Sequence, residues 1–193
     1  MRILSLILSV IAVFTSSTMA NAGVILTDLS TGASQIQNSQ AIGQSFTAED
    51  PFVLFAFSFF DVNQANNPNQ PLTMRLLDGD GLTGNLLTTV SQTLPANLGT
   101  LANGVFVDFD LSSVPLVVGQ SYTVLIEAPS TRWGVDNNLT TNAYLGGMMY
   151  SSGNAVPGGD MDFRVTPIAV PEPSAFGLCG LLVVVGCIRR RRR

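Results

Sequence analysis

Between residues 23 and 166, short runs rich in β-branched and aromatic residues are separated by clusters of Gly, Pro, Asn and Asp. No segment longer than ten residues carries a convincing 3.6-residue period. Alternating or continuous apolar runs recur instead, as strands require. The predicted strands are Gly23 to Leu29, Ala41 to Ala48, Phe52 to Val62, Leu72 to Leu77, Leu86 to Leu94, Gly104 to Leu111, Ser121 to Ala128, Ala143 to Tyr150 and Met161 to Thr166, with Leu116 to Gln120 as a short edge plus turn. Phe52 to Val62 is nearly all apolar and is bracketed by Asp50-Pro51 and Asp61. It is too short to cross a bilayer as a helix, so it reads as a central strand buried on both faces, or as one covered by a loop. Gly104 to Leu111 alternates cleanly, with Val105, Val107 and Phe109 on one face and Phe106, Asp108 and Asp110 on the other. Asn63 to Gln70 reads as a polar loop, and Asp78 to Asn85 joins two strands. Nine to ten short strands at this spacing predict an all-β domain, a two-sheet β-sandwich of jelly-roll-like kind.

The two ends follow other rules. Arg2, the apolar run Ile3 to Phe14, and a polar stretch leading to Ala20-Asn21-Ala22 have the layout of a secretory signal peptide cut after Ala22 by signal peptidase. The alternative is a retained N-terminal anchor, for which the apolar run is short. At the other end, Val170-Pro171-Glu172-Pro173-Ser174 precedes an apolar run from Ala175 to Ile188 and then Arg189, Arg190, Arg191, Arg192 and Arg193. The two prolines forbid a helix and hold the segment extended, and Ser174 is placed to cap a helix beginning at Ala175. Fourteen residues at ~1.5 Å each reach about 21 Å, a short transmembrane helix whose arginines make up part of the deficit by snorkelling. The arginines stay cytoplasmic and the preceding domain is exported. The predicted organisation is a signal peptide at 1–22, a β-sandwich domain at 23–168 and a sorting signal at 169–193, with its Pro-Glu-Pro motif at 171–173, helix at 175–188 and arginines at 189–193.

Residues 170 to 193, with the Val-Pro-Glu-Pro-Ser motif, the Gly-containing hydrophobic helix and the terminal arginine cluster in order, resemble the PEP-CTERM sorting signal. The resemblance implies a protein held transiently in the inner membrane and cut near Pro-Glu-Pro by an exosortase. The product is then released to, or fixed at, the surface of a bacterium that makes extracellular polysaccharide. An ordinary single-pass anchor with a proline linker is the other reading. A second, looser resemblance spans most of the mature chain. Gly-Gln-Ser-Phe-Thr at 43–47, the Phe109 to Tyr122 segment, the Gly146-Gly147 turn and Gly-Asp-Met-Asp-Phe-Arg at 159–164 are similar to choice-of-anchor domains of type R. It bears on fold and is nearly silent about activity.

Composition narrows the chemistry. Lys and His are absent, all nine basic residues are Arg, and charged residues make up 11% of the chain. Without His or Lys, a Ser nucleophile has no ordinary base, and neither a Schiff base nor a P-loop lysine is available. Removing both ends leaves twelve acidic residues against Arg75, Arg132 and Arg164, a net charge near −9. That balance argues against nucleic acid or anionic lipid as a partner of the domain. Cys179 and Cys187, about 80° apart on the tail helix, read as packing residues in lipid, with lipidation or redox use as the alternative. The mature domain would then hold no cysteine and depend on its core alone.

Asp78-Gly79-Asp80-Gly81 opens like a calcium loop, but Leu82 and Thr89 stand where an EF-hand needs oxygen ligands. A looser calcium site at Asp78 and Asp80 stands beside the plainer reading of a glycine turn. No other cofactor is implied. Asp108 with Asp110, and Asp160 with Asp162, are carboxylate pairs two apart on strands. Such pairs suit glycosidase chemistry, but outward-facing polar positions or pairing with Arg164 or Arg132 explain them as well. Trp133, Tyr144 and Tyr150 are the aromatics suited to stack on a sugar if exposed, and packing residues if not. Asn138-Leu139-Thr140 matches the N-glycosylation pattern, which we treat as chance in a bacterial product. The expected role is that of a non-enzymatic surface or matrix protein associated with exopolysaccharide or biofilm. A carbohydrate-binding module is the alternative, and a secreted carboxylate hydrolase stands behind it.

Overall fold

The computed structural model describes residues 23–28, 31–36, 41–62, 71–127 and 133–169. The predicted signal peptide, the Asn63 to Gln70 loop, Arg132 and the segment from Val170 onward, with its helix and arginines, lie outside these residues. The described chain is all-β, with no helix, and forms two sheets. Its strands are β1 (Ile25–Leu26), β2 (Gly32–Ile36), β3 (Ile42–Thr47), β4 (Val53–Phe60), β5 (Pro71–Asp78), β6 (Leu86–Thr93), β7 (Gly99–Thr100), β8 (Asn103–Asp110), β9 (Ser121–Glu127), β10 (Trp133–Asn138), β11 (Met149–Ser151), β12 (Asn154–Val156), β13 (Asp160–Met161) and β14 (Phe163–Pro167).

One sheet runs β1-β14-β4-β10-β13, with β2 also on β10 and β8 on β4; the other runs β12-β11-β3-β9-β5-β6. Both contribute to a single apolar cluster between them, the arrangement of a β-sandwich. Phe55 links the layers. Its ring lies 5.3 Å from Phe46 of β3, 5.0 Å from Phe57 and 5.5 Å, stacked, from Phe163 of β14. Full burial of each such ring is worth about 1.5–3 kcal/mol, and the tilted and offset geometries add to it.

β4 is buried on both faces, as its composition predicts. Val53, Phe55, Phe57 and Phe59 point into the core, while Ala56, Ser58 and Phe60 on the opposite face are at most 6% exposed. One edge of β4 pairs with β8 from Leu54↔Asp110 to Phe59↔Val105. The other edge is shared: β14 takes Val53 to Phe57, and β10 takes Phe59 and Phe60. Asp162 fills the fork, its N–H donating to Asp136 O (2.9 Å) while Ser58 N–H donates to Asp162 O (2.9 Å).

Several predicted elements change. The strand over Ala143 to Tyr150 shrinks to Met149–Ser151, because residues 145–146 form a turn. Leu116 to Gln120 is no edge strand; Gly119 has φ +85° and its N–H donates to Ala48 O. The first predicted strand keeps only Ile25–Leu26. β2 and β10 are strands the alternation does not predict, since Gly-Ala-Ser-Gln-Ile and Trp-Gly-Val-Asp-Asn-Asn offer small and polar residues where a strand ordinarily shows apolar ones.

Candidate functional site

The densest concentration of buried polar side chains surrounds the fork. Asp136, Asn137 and Asn138 of β10, Asp160 and Asp162 of β13 and its junction, Ser58 of β4 and Gln44 of β3 are all 4% exposed or less. Burial of this kind is tolerated when hydrogen bonds replace water. Asp136 Oδ2 accepts from Ser58 Oγ (2.9 Å), and Oδ1 accepts from Ala102 N–H (3.0 Å). Ala102 sits at φ +64°, a left-handed conformation that a non-glycine residue holds only under constraint. The Asp136 carboxylate supplies that constraint from a neighbouring strand.

Asp160 does the same between the sheets. Its Oδ1 accepts from Gln44 Nε2 (3.1 Å) and its Oδ2 from Tyr144 N–H (2.9 Å), while Gln44 Oε1 accepts from Met161 N–H (2.9 Å). Gln44 stands between Ile42 and Phe46 on the inward face of β3, so one amide joins the two layers through the core. A polar residue between Ile42 and Phe46 on the inward face of the strand was the signal for this network in the sequence. Among the described residues Asp160 pairs with no arginine; Arg164 goes to Asp108 instead, with Nη2 2.9 Å and 3.0 Å from the two carboxylate oxygens.

The two carboxylate pairs therefore divide. Asp110, beside Asp108, accepts from Ser112 N–H (2.8 Å), and hydrogen bonding from the Ser112 side chain and then its backbone holds the Asp110 carboxyl below its ordinary value. A general acid at neutral pH needs the opposite shift. Among the described residues no three His, Cys, Asp or Glu side chains gather where they would hold a metal ion.

Asp78 and Asp80 work as loop fasteners. Both Asp78 oxygens accept from Asn85, one from its N–H and the other from Nδ2 (2.8 Å), which closes the hairpin. Gly79 and Gly81, at φ +77° and +135°, supply backbone conformations that side chains disfavour. The loop folds back across its sheet: Thr123 Oγ1 accepts from Gly81 N–H and donates to Gly79 O, and Asp80 Oδ1 accepts from Tyr150 O–H at 2.8 Å. The glycine-turn reading of this motif accounts for both carboxylates.

The aromatic candidates do not form a sugar platform. Trp133 is 1% exposed and sits in the central cluster, because its alternate position on β10 points between the sheets. The Tyr150 ring is buried and its hydroxyl is tied to Asp80. Tyr144 packs edge-on against Phe163 (5.3 Å), and its hydroxyl accepts from Thr47 N–H (2.9 Å), sealing β3 where β11 has ended. The three side chains lie in separate packing roles. Asn138, in the glycosylation-like triplet, turns its Oδ1 onto Thr140 N–H (3.0 Å) and Thr141 N–H (2.9 Å), so the triplet serves as a turn.

Compared with protein-family models and with curated proteins, the chain matches none.

Proposed function

We propose that the chain is exported and sorted as a cell-surface or extracellular-matrix protein, with a structural or interaction role beside exopolysaccharide or biofilm. On this reading signal peptidase removes residues 1–22, the tail holds the domain briefly at the inner membrane, and an exosortase cuts near Pro171 to Pro173. The finer description of the domain as jelly-roll-like and similar to choice-of-anchor type R belongs to the same proposal.

The observation that carries it is where the tail begins. Ile168 N–H donates to Phe52 O (2.8 Å) just past β14, and the Val-Pro-Glu-Pro-Ser motif starts two residues later. The tail thus follows directly on a finished fold. At the other terminus, β1 pairs with β14 in the register Ile25↔Val165, so the two chain ends leave the domain side by side. A non-catalytic role is supported by the carboxylates, whose bonds fasten strands and loops. The carbohydrate-binding alternative loses its main support with Trp133 in the core.

Intact-mass analysis of exported material tests the reading. The expected species begins at Gly23 and ends near Pro171. A full-length chain from the cytosol, its arginines intact, overturns it.

A further inference from the structure

We propose that β6 is a self-association edge, on which a second copy of this chain lays its own β6 antiparallel to form one sheet continuous across two molecules. β6 closes the six-stranded sheet and pairs on one side only, with β5. It is eight residues long, whereas β2, β12, β1 and β13 at other sheet edges have five, three, two and two, and β8, equally long, carries β7 on its outer edge at Asn103 and Gly104. Its outward N–H and C=O groups meet no partner among the described residues. The bond that leads away from β5, from Gln92 Nε2 to Asp108 O (2.9 Å), uses a side chain and leaves the β6 backbone open.

Edges of this length are ordinarily blunted by Lys, Pro or inward-pointing charge. Leu-Leu-Thr-Thr-Val-Ser-Gln-Thr has none of these, and the register shift between Leu76 and Leu77 touches only its first residues. Residues 81 to 107 contain no Asp, Glu, Lys or Arg, the longest such stretch in the domain. The domain otherwise carries a net charge near −9, so two copies repel across most of their surfaces and least along this edge. Twofold pairing sets like against like, which an uncharged row of Thr, Val and Ser tolerates and a charged one does not. Leu86 and Leu87, 56% and 37% exposed, gain cover from the far end of the partner strand. The proposal rests on β6 alone and stands whether or not the tail is processed.

Cross-linking tests it in the full chain, with Cys179→Ser and Cys187→Ser as background. Leu87→Cys, Thr89→Cys and Ser91→Cys lie on one face of β6, within disulfide reach of a paired copy near the twofold axis; Thr141→Cys, exposed elsewhere, is the control. Mild oxidation is expected to give a disulfide dimer that peaks at one of the three edge positions and is weak at the control. Changing the other two of these three positions to Lys in the best cross-linker should lower the dimer yield about five-fold, because the two copies then bring like charges together across the strands. Equal cross-linking at control and edge positions, no dimer from any edge position, or a Lys variant that dimerises undiminished each overturns the proposal.

Discussion

Arg164 reaches across Ala56 to hold Asp108. In the register, Ala56 lies between them, opposite Arg164 of β14 on one side and Asp108 of β8 on the other. The guanidinium also sits 5.2 Å from the centre of the Phe106 ring. Ala56 is fully buried between them, so a larger side chain there has to displace its neighbours. Ala56→Val should therefore cost about 1–3 kcal/mol by overpacking. Arg164→Gln, which removes a half-exposed ion pair, should cost about 0.2–1 kcal/mol. Urea denaturation of both variants checks the order, and a larger loss for Arg164→Gln refutes it.

The Asp136 clamp should be among the costliest polar positions. Asp136→Ala leaves the buried Ser58 Oγ and the part-buried Ala102 N–H without their acceptor, and we expect a loss of about 1–3 kcal/mol. Gly104→Ala attacks the same spot sterically. A β-carbon there would come within 2.4 Å of both Asp136 Oδ2 and Ser58 Oγ. Thermal melts should show both variants well below Asp136→Asn, which keeps the acceptor to Ala102.

Gln44→Leu keeps volume but cuts the link between layers. Asp160 Oδ1 and Met161 N–H then lose a buried partner, so a loss of about 1–3 kcal/mol is expected despite the gain in apolarity. Protection of the Met161 amide from hydrogen exchange should fall along with global stability. Unchanged protection would mean that the amide of Gln44 does not matter.

Alkaline pH should loosen the strap over the second sheet. Burial, followed by the hydrogen bond to Asp80, pushes the Tyr150 phenol up to about 12, and burial also raises Tyr144. The native state keeps these protons to higher pH than the unfolded chain, whose phenols titrate near ~10. The stabilisation is therefore complete below about pH 10 and is lost as pH climbs through 12. Absorbance titration should show a phenol step near 12 that disappears in Tyr150→Phe; a titration completed by pH 11 contradicts the clamp.

The single tryptophan reports its burial directly. Emission should be blue-shifted and resist iodide quenching in the native state, and addition of polysaccharide should leave it unchanged. Quenching by the producer's own polysaccharide would reopen the sugar-binding reading.

The fold class and most of the strands follow from the chain's own apolar rhythm. Residues 42–47, 53–60, 86–93, 103–110 and 121–127 are legible because each strand buries one face, or both, in a rhythm the chain must spell out. Tertiary structure alone decided the fates of Trp-Gly-Val-Asp-Asn-Asn and Gly-Ala-Ser-Gln-Ile. Their strand form comes from partners about 25 to 100 residues away, among them Phe59, Phe60 and Met161, and no local rhythm records such pairing. It also decided which carboxylates are buried. Asp136 and Asp160 resemble Asp108 in sequence, yet the fork where β14 and β10 part along β4 places them beside Ser58, Ala102, Gln44 and Tyr144, where hydrogen bonds replace the water that Asp108 keeps.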